Sequence, residues 1–129
     1  MSEGARNRVA LSKRYRFESA HLLPLLPDGH KCRRLHGHSF EVEVEVRGPL
    51  DPRLGWLVDY AEISRVVKPV VEELDHRYLN EIEGLDNPTS EVLAIWFWER
   101  LAGRIDGIYR VTIFETCTTR CDYFGPEGC

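Results

Sequence analysis

The sequence has no apolar run near the roughly 18 residues that a membrane span requires. The longest apolar piece near its start, Leu22 to Leu26, is interrupted by Pro24. Met1 to Ala10 is polar, carries Arg6 and Arg8, and holds no apolar segment of a secretion signal. The cytoplasm is therefore the expected compartment. An excess of positive charge is also missing. Lys and Arg number 17 against 21 Asp and Glu, a formal net charge of −4. That balance excludes the broad basic footprint of a general nucleic-acid binder. There is no internal repeat, low-complexity tract or linker. Cysteine is scarce, at Cys32, Cys117, Cys121 and Cys129. In a reducing compartment these are expected as thiols, ligands or nucleophiles and not as disulfides.

What is present fits one globular domain. At 129 residues, 43% hydrophobic and 29% charged, the chain is too apolar for disorder and long enough to bury a core without staples. Residues 1–8 read as a flexible N-terminal tail and residues 9–129 as a single domain.

Val9, Leu11, Tyr15 and Phe17 share one parity, with Lys13 the exception, which predicts a strand ending near His21. Pro24, Pro27, Asp28 and Gly29 mark a loop. Phe40, Val42, Val44 and Val46 then alternate with Glu41, Glu43, Glu45 and Arg47, a strand with one apolar and one charged face. From Asp59, a suitable N-cap, the period turns helical through Ile63, Val66, Val67, Val70, Val71 and Leu74. Pro69 falls inside that pattern and predicts a kink or break. A second helix is expected from about Thr89 to Ala102, with Pro88 at its first position. Tyr109, Val111 and Ile113 predict one face of a last strand that runs into Glu115. Strands and helices without strict alternation indicate an α+β fold with an antiparallel sheet.

The densest chemistry lies at His21, His36 and His38. Residues two apart on a strand point to the same face, so His36 and His38 can reach one ion. His21 closes the preceding strand, which can pair with theirs. Three neutral imidazoles with an open fourth position are the layout of a catalytic zinc site. Cys32 is either a fourth ligand or a thiolate near the metal, and the flanking Lys31, Arg33 and Arg34 favour the reactive form. Asp75-His76 is a carboxylate beside an imidazole, a pairing suited to proton transfer. Glu115 is either the point where its strand leaves the core or a half-buried carboxylate with a cationic or amide-like partner. Thr89, Ser90 and Glu91 offer helix-capping groups that can also face a ligand. Cys117, Cys121 and Cys129 have the types, but weak spacing, for a second thiolate metal site.

Several motifs occur in order: Phe17-x-Ser19-Ala20-His21, Cys32-x-x-x-His36-Gly37-His38, Gly55-Trp56-x-Val58-Asp59-Tyr60, Leu74-Asp75-His76-x-x-Leu79-Asn80, Asn87-Pro88-Thr89-Ser90-Glu91 and Glu115-Thr116. Together they resemble the 6-pyruvoyltetrahydropterin synthase family, over nearly the whole chain from Val9 to Gly125. The short gap between Cys32 and His36, and Glu115-Thr116-Cys117-Thr118 with Cys121 and Tyr123, are similar to its bacterial, carboxypterin-forming branch.

The resemblance implies a tunnelling fold: an antiparallel sheet with two helices on one face, subunits joined edge to edge into a barrel. The implied assembly is a homohexamer, a dimer of trimers, with sites between subunits and the Glu41, Glu43 and Glu45 face lining a wet tunnel. It implies Zn2+ on His21, His36 and His38, with Cys32 as catalytic base and Asp75 and His76 as the second proton-transfer pair. Glu115 would anchor the pterin ring through paired N–H donors, and Thr89 and Ser90 would contact the same ring. The implied substrate is 7,8-dihydroneopterin triphosphate. The implied outcome is loss of triphosphate and acetaldehyde to leave a 6-carboxytetrahydropterin on the route to queuosine. Lys31, Arg33 and Arg34 are candidates for the triphosphate. Two other readings stand beside this one: a synthase that stops after triphosphate elimination, and a small zinc-stabilised binding protein with Cys32 as fourth ligand.

Cys32→Ser separates these roles. As a catalytic base, its loss spares bound zinc and abolishes turnover. As a ligand, its loss releases zinc and lowers stability. Zinc content, thermal unfolding and turnover of the one variant decide between them.

Overall fold

The computed structural model describes residues 7–127. Strand β1 (Arg8–His21) is followed by a loop with a single 3-10 turn at Lys31–Arg33, then strand β2 (His36–Pro49). Helix α1 (Tyr60–Glu72), the short strand β3 (Arg77–Tyr78), helix α2 (Ser90–Leu101), strand β4 (Ile108–Thr116) and strand β5 (Thr119–Tyr123) complete the chain. The sheet order is β3-β1-β2-β4-β5. All pairs are antiparallel except β3, which runs parallel to β1 and pairs only with Ser19 and Ala20. Arg8 already pairs with Pro49, so the strand takes in the last residue of the expected tail. Residues 1–6 of that tail, and Cys129, lie outside the described residues. No helix among the described residues is long and apolar enough to cross a membrane.

Strand parity sorts the side chains. Tyr15 and Phe17 from β1, Phe40, Val42, Val44 and Val46 from β2, and Val111 and Ile113 from β4 are buried beneath the two helices. The helices return Ile63, Val66, Val67, Val70 and Val71 from α1, and Leu93, Ala94, Phe97 and Leu101 from α2. Phe17 stacks on Phe40 with ring centroids 5.2 Å apart. Each such side chain contributes about 1.5–3 kcal/mol by leaving water. A one-residue slip of β1 against β2 would turn that whole row outward, so the core fixes the register.

Both helix starts are capped by side chains. The Asp59 carboxylate accepts from the Ala61 N–H at 2.9 Å, and the Thr89 hydroxyl accepts from the Val92 N–H at 3.1 Å. Thr89 is thus the N-cap, and Pro88 stands one residue before it, not at the first helical position. The break expected at Pro69 does not occur, because α1 runs on to Glu72. The hydrogen bond that proline removes belongs to the carbonyl of Arg65, on the exposed side of the helix, where water can replace it.

One strand expectation is corrected. Val46 pairs with Ile108 while Glu45 pairs with Arg110, leaving Tyr109 as the extra residue of a β-bulge. The bulge shifts the parity. Ile108 takes the core position, and Tyr109 lies on the opposite face beneath the Arg47 guanidinium, 3.5 Å from its ring centroid. Gly107 precedes the bulge at φ +75°, where a Cβ would strike the carbonyl of Arg47.

The helix-free face is polar and tied together by Arg110. This buried guanidinium bonds Glu43 at 2.7 Å and Glu45 at 2.8 Å, and it reaches Asp122 at 3.2 Å. Thr112 bridges Arg110 and Asp122. Arg14 adds a bond to Glu43 at 3.1 Å, and Arg47 one to Glu45 at 2.5 Å. Glu43 and Glu45 of the acidic stripe read from β2 are therefore neutralised by arginines from three strands. Burial pushes both glutamates up, but bonds from Arg110 and Arg14 to Glu43, and from Arg47 and Arg110 to Glu45, outweigh it. Both end below the usual carboxylate range.

Because these folded-state values are depressed, the network contributes its full stability above about pH 4.3 and loses it as pH falls through the folded values. Arg110→Met removes the shared partner of three carboxylates and leaves each with one more exposed arginine, Arg14, Arg47 or Arg120, so it should cost about 2 kcal/mol at neutral pH. The variant should also lose less further stability than wild type on acidification. Urea unfolding at fixed protein concentration between pH 7 and pH 3 reads both effects.

Candidate metal centre

The register of β1 and β2 sets His21 opposite His36 and Ser19 opposite His38. His21 continues the buried row of Tyr15, Phe17 and Ser19, and His38 and His36 continue the row of Phe40. All three imidazoles therefore fall on the helix-covered face, at the end where the core gives out. Ring centroids lie 4.5 Å apart for His21 and His36, 5.2 Å for His21 and His38, and 4.8 Å for His36 and His38. Glu115, at the end of β4 on the parity of Val111 and Ile113, closes the group. One ligand atom from each of these four residues lies within 4.8 Å of the others.

Hydrogen bonds set the tautomers. His21 Nδ1 lies 2.8 Å from the carbonyl of Pro88, and His36 Nδ1 lies 2.7 Å from the carbonyl of Arg34. A carbonyl only accepts, so each Nδ1 carries the proton and each Nε2 presents a lone pair. His21 is fully buried, and its Nε2 has no hydrogen-bond partner. The atom it faces is Glu115 Oε1, 3.1 Å away. His38 Nε2 lies 3.7 Å from the same oxygen. A neutral imidazole lone pair aimed at a carboxylate is repulsive unless a cation lies between them. This donor set, with Nδ1 anchored to the backbone, fits a divalent metal of the zinc type. Burial lowers the His38 imidazole below its usual value, against the pull of Glu115, which favours the neutral ligand form. The contact with His21 leads in holding Glu115 below the usual carboxylate range, against burial.

Cys32 sits half-buried on the 3-10 turn and stands outside this group. Its N–H donates to His30 Nδ1 at 3.1 Å, and its carbonyl accepts from Leu23 at 2.8 Å. Arg33 bonds the carbonyls of Pro24 and Leu26 at 3.2 and 2.9 Å and reaches Asp28 at 3.4 Å, so its guanidinium closes the loop. Glu115, and not Cys32, is the fourth residue of the group that could hold a metal ion.

Asp75 and His76 follow α1 at the β1 edge. Asp75 Oδ1 accepts from the Glu18 N–H at 2.9 Å, Asp75 Oδ2 lies 3.1 Å from His76 Nδ1, and the His76 N–H donates to the Glu18 carbonyl at 2.6 Å. The bond from Glu18 is the leading cause that lowers the Asp75 carboxyl. His76 is in the left-handed region at φ +57°, rare for a residue with a side chain. Its ring is 78% exposed. It lines an open groove of about 600 Å³ together with Glu18, Ser19, Gly37, His38 and Ser39. His38 and His76 thus open on the same groove.

Thr89 and Ser90 begin α2 beside the Pro88 carbonyl that holds His21. The Thr89 hydroxyl is engaged as the cap, and Ser90 is half-buried. Cys117 is exposed at the β4–β5 turn and Cys121 is half-buried on β5. Neither joins a metal-binding group among the described residues. Three contributors escaped sequence reasoning because they act through backbone or amide groups: Pro88, Glu18 and Asn80. Asn80 brackets Leu22, accepting from its N–H at 3.0 Å and donating to its carbonyl at 2.9 Å, which secures the residue after His21. Its only signal was its place in the Leu74 to Asn80 motif.

Fold and site together define a class: an α+β protein whose antiparallel sheet carries a three-histidine metal site at one end. The family model for 6-pyruvoyl tetrahydropterin synthase matches residues 10–126. The chain belongs to that family and has its tunnelling fold. It is 40% identical over 122 residues to a 6-carboxy-5,6,7,8-tetrahydropterin synthase of Synechocystis, covering 89% of this chain and 92% of that one. It is 37% identical over 102 residues to a dihydroneopterin monophosphate aldolase of Pyrococcus furiosus, covering 77% and 82%. The solved structure of Caenorhabditis elegans 6-pyruvoyl tetrahydropterin synthase superposes with a TM-score of 0.86 at 30% identity, covering 94% of this chain and 98% of that one.

Zinc should bind with one ion per chain and raise the unfolding temperature, because it binds the folded site alone. The gain reaches about 2.7 kcal/mol when free zinc is a hundredfold above its Kd. His36→Ala should lose that response while keeping the fold. Calorimetry with and without zinc checks both points.

Proposed function

We propose that the chain is a zinc-dependent carbon–carbon lyase. It converts 7,8-dihydroneopterin triphosphate and one water to 6-carboxy-5,6,7,8-tetrahydropterin, acetaldehyde and triphosphate, a cytoplasmic step of queuosine biosynthesis. The observation that carries this reading is the three-imidazole group, buried at His21 and with the tautomers of His21 and His36 set for a metal, in a chain 40% identical to the Synechocystis enzyme of that name.

On this reading His21, His36 and His38 hold the zinc. When bound, the metal supplies Lewis-acid polarisation of the substrate's side-chain oxygens, which acidifies the neighbouring C–H bonds. The protein's own groups do the rest. Cys32, as thiolate, takes a proton from the side chain. His76, oriented by Asp75, moves the second proton, and the bonds to Glu18 hold that pair at the mouth of the groove. The Glu115 carboxylate matches the two parallel N–H donors of a pterin edge. Thr89 and Ser90 flank the same space. Lys31 and Arg34 are better placed for the triphosphate than Arg33, whose guanidinium is committed to the loop.

Assembly belongs to the same reading. β1 from Arg8 to Glu18 pairs with β2 on one side only, since β3 covers just Ser19 and Ala20, and β5 ends the other side. Long open edges at both ends of one sheet support edge-to-edge closure into a barrel, as in a hexamer built from two trimers.

The test is a product assay on zinc-loaded protein given 7,8-dihydroneopterin triphosphate. The expected result is a 6-carboxypterin by mass together with acetaldehyde. A pyruvoyl product without acetaldehyde would assign the triphosphate-eliminating activity instead. Turnover of the monophosphate alone would move the chain towards aldolase chemistry.

A further inference from the structure

The geometry points to a second role for Glu115: we propose that it is the fourth ligand of the resting metal centre and leaves the metal when a pterin binds. The pterin half of this proposal rests on the reading under Proposed function; the ligand half does not.

The argument starts from distances. Metal–ligand bonds of about 2.0–2.1 Å in a tetrahedron place neighbouring ligand atoms about 3.3 Å apart. Glu115 Oε1 lies 3.1 Å from His21 Nε2 and 3.7 Å from His38 Nε2, on either side of that edge length. At His21 Nε2 the contact falls outside hydrogen-bond geometry, and the Nδ1 proton is committed to Pro88. One carboxylate oxygen thus sits where a tetrahedral ion would place its fourth ligand, opposite an imidazole nitrogen that a metal ion would join to it.

The side chain comes from β4, one residue beyond the last β2–β4 pair, Glu41 with Phe114. It is half-buried, so one end of the carboxylate meets the histidines while solvent still reaches the residue. A clamp on two parallel N–H donors needs both oxygens turned to the ligand. Oε1 cannot serve the metal and that clamp together. Metal ligation and pterin binding therefore compete for one carboxylate, and substrate opens a coordination position by drawing Glu115 away. Free enzyme would hold its metal in a closed three-nitrogen, one-oxygen site, tighter than three imidazoles alone.

The experiment uses the full chain as purified, wild type and Glu115→Gln. Zinc affinity is measured by competition with a chromophoric chelator, and infrared difference spectra are recorded on adding zinc. Zinc should shift a carboxylate stretch in wild type. Glu115→Gln should lose that band and bind zinc about tenfold or more weakly. Neopterin added to zinc-loaded wild type should reverse the shift. Wild-type zinc affinity in the variant, or a carboxylate band that survives the substitution, overturns the ligand role. The wild-type spectrum decides the point even where the variant folds poorly, because absence of any zinc-induced carboxylate shift overturns it too. Neopterin that binds and leaves the band unmoved overturns the exchange. Failure of neopterin to bind overturns the exchange and the pterin reading together, while the zinc arm still decides the ligand role.

Discussion

The antiparallel register between β1 and β2 is the constraint on which the metal centre depends. Neither strand owns the site: His21 comes from the end of one, and His36 and His38 from the start of the other. Their rings meet because Phe17 stands opposite Phe40 four residues earlier. The aromatic stack and the valine row below it make any other register costly. The hydrophobic core thus supplies the precision that metal coordination demands, and no loop has to fold correctly first. The carbonyls of Pro88 and Arg34 then turn two correctly placed imidazoles into ligands of defined tautomer.

The same alternation divides the sheet electrically. On the helix side the buried polar groups are few: the Tyr15 hydroxyl paired with Ser64 at 2.9 Å, and at the site end Ser19 and His21, which succeed Phe17. On the other side Arg110 of β4 gathers Glu43 and Glu45 from β2 and Asp122 from β5. A lone buried guanidinium or carboxylate there would be costly, but each has a partner within hydrogen-bond reach. The result is a face that is charged in detail and balanced in sum. Such a face can meet water, or other copies of itself, without presenting a single-sign field.

Much of this was legible in the residues, and the failures have specific causes. The His21, His36 and His38 set could be read because strand parity is a strict period of two, so like positions share a face. The cap at Asp59 could be read because a short polar side chain before an apolar helical period has one good use there, whereas the cap at Thr89 was missed because Pro88 suits a first helical position on composition alone. Tyr109 was misplaced because a single bulged residue inverts parity locally and leaves no mark in an apolar run. Pro69 was over-read because the cost of proline depends on whether the orphaned carbonyl faces water, which composition does not show. Glu18 and Pro88 act through backbone atoms that every residue carries, so side-chain chemistry could not single them out. The proximity of Glu115 to His21 is long-range and needed the β2–β4 pairing to be known.

The placement of Cys32 follows a different logic from that of the histidines. Ligands must hold an ion to within a few tenths of an ångström, and they sit on paired strands. A proton acceptor needs only to come within hydrogen-bond reach of a carbon whose position the substrate helps to set. Cys32 stands on a loop between the two ligand strands, tied by its carbonyl to Leu23 and by Arg33 to the carbonyls of Pro24 and Leu26. That loop leaves β1 one residue after His21 and joins β2 at His36, so both of its ends are metal ligands. Anything that positions the metal therefore also positions the anchors of the loop. His76 is fixed independently, at the other side of β1, by paired bonds to Glu18. Cys32 and His76 therefore stand on separate supports, one on the loop between β1 and β2 and the other at the β1 edge beside Glu18, so neither depends on the other for its position.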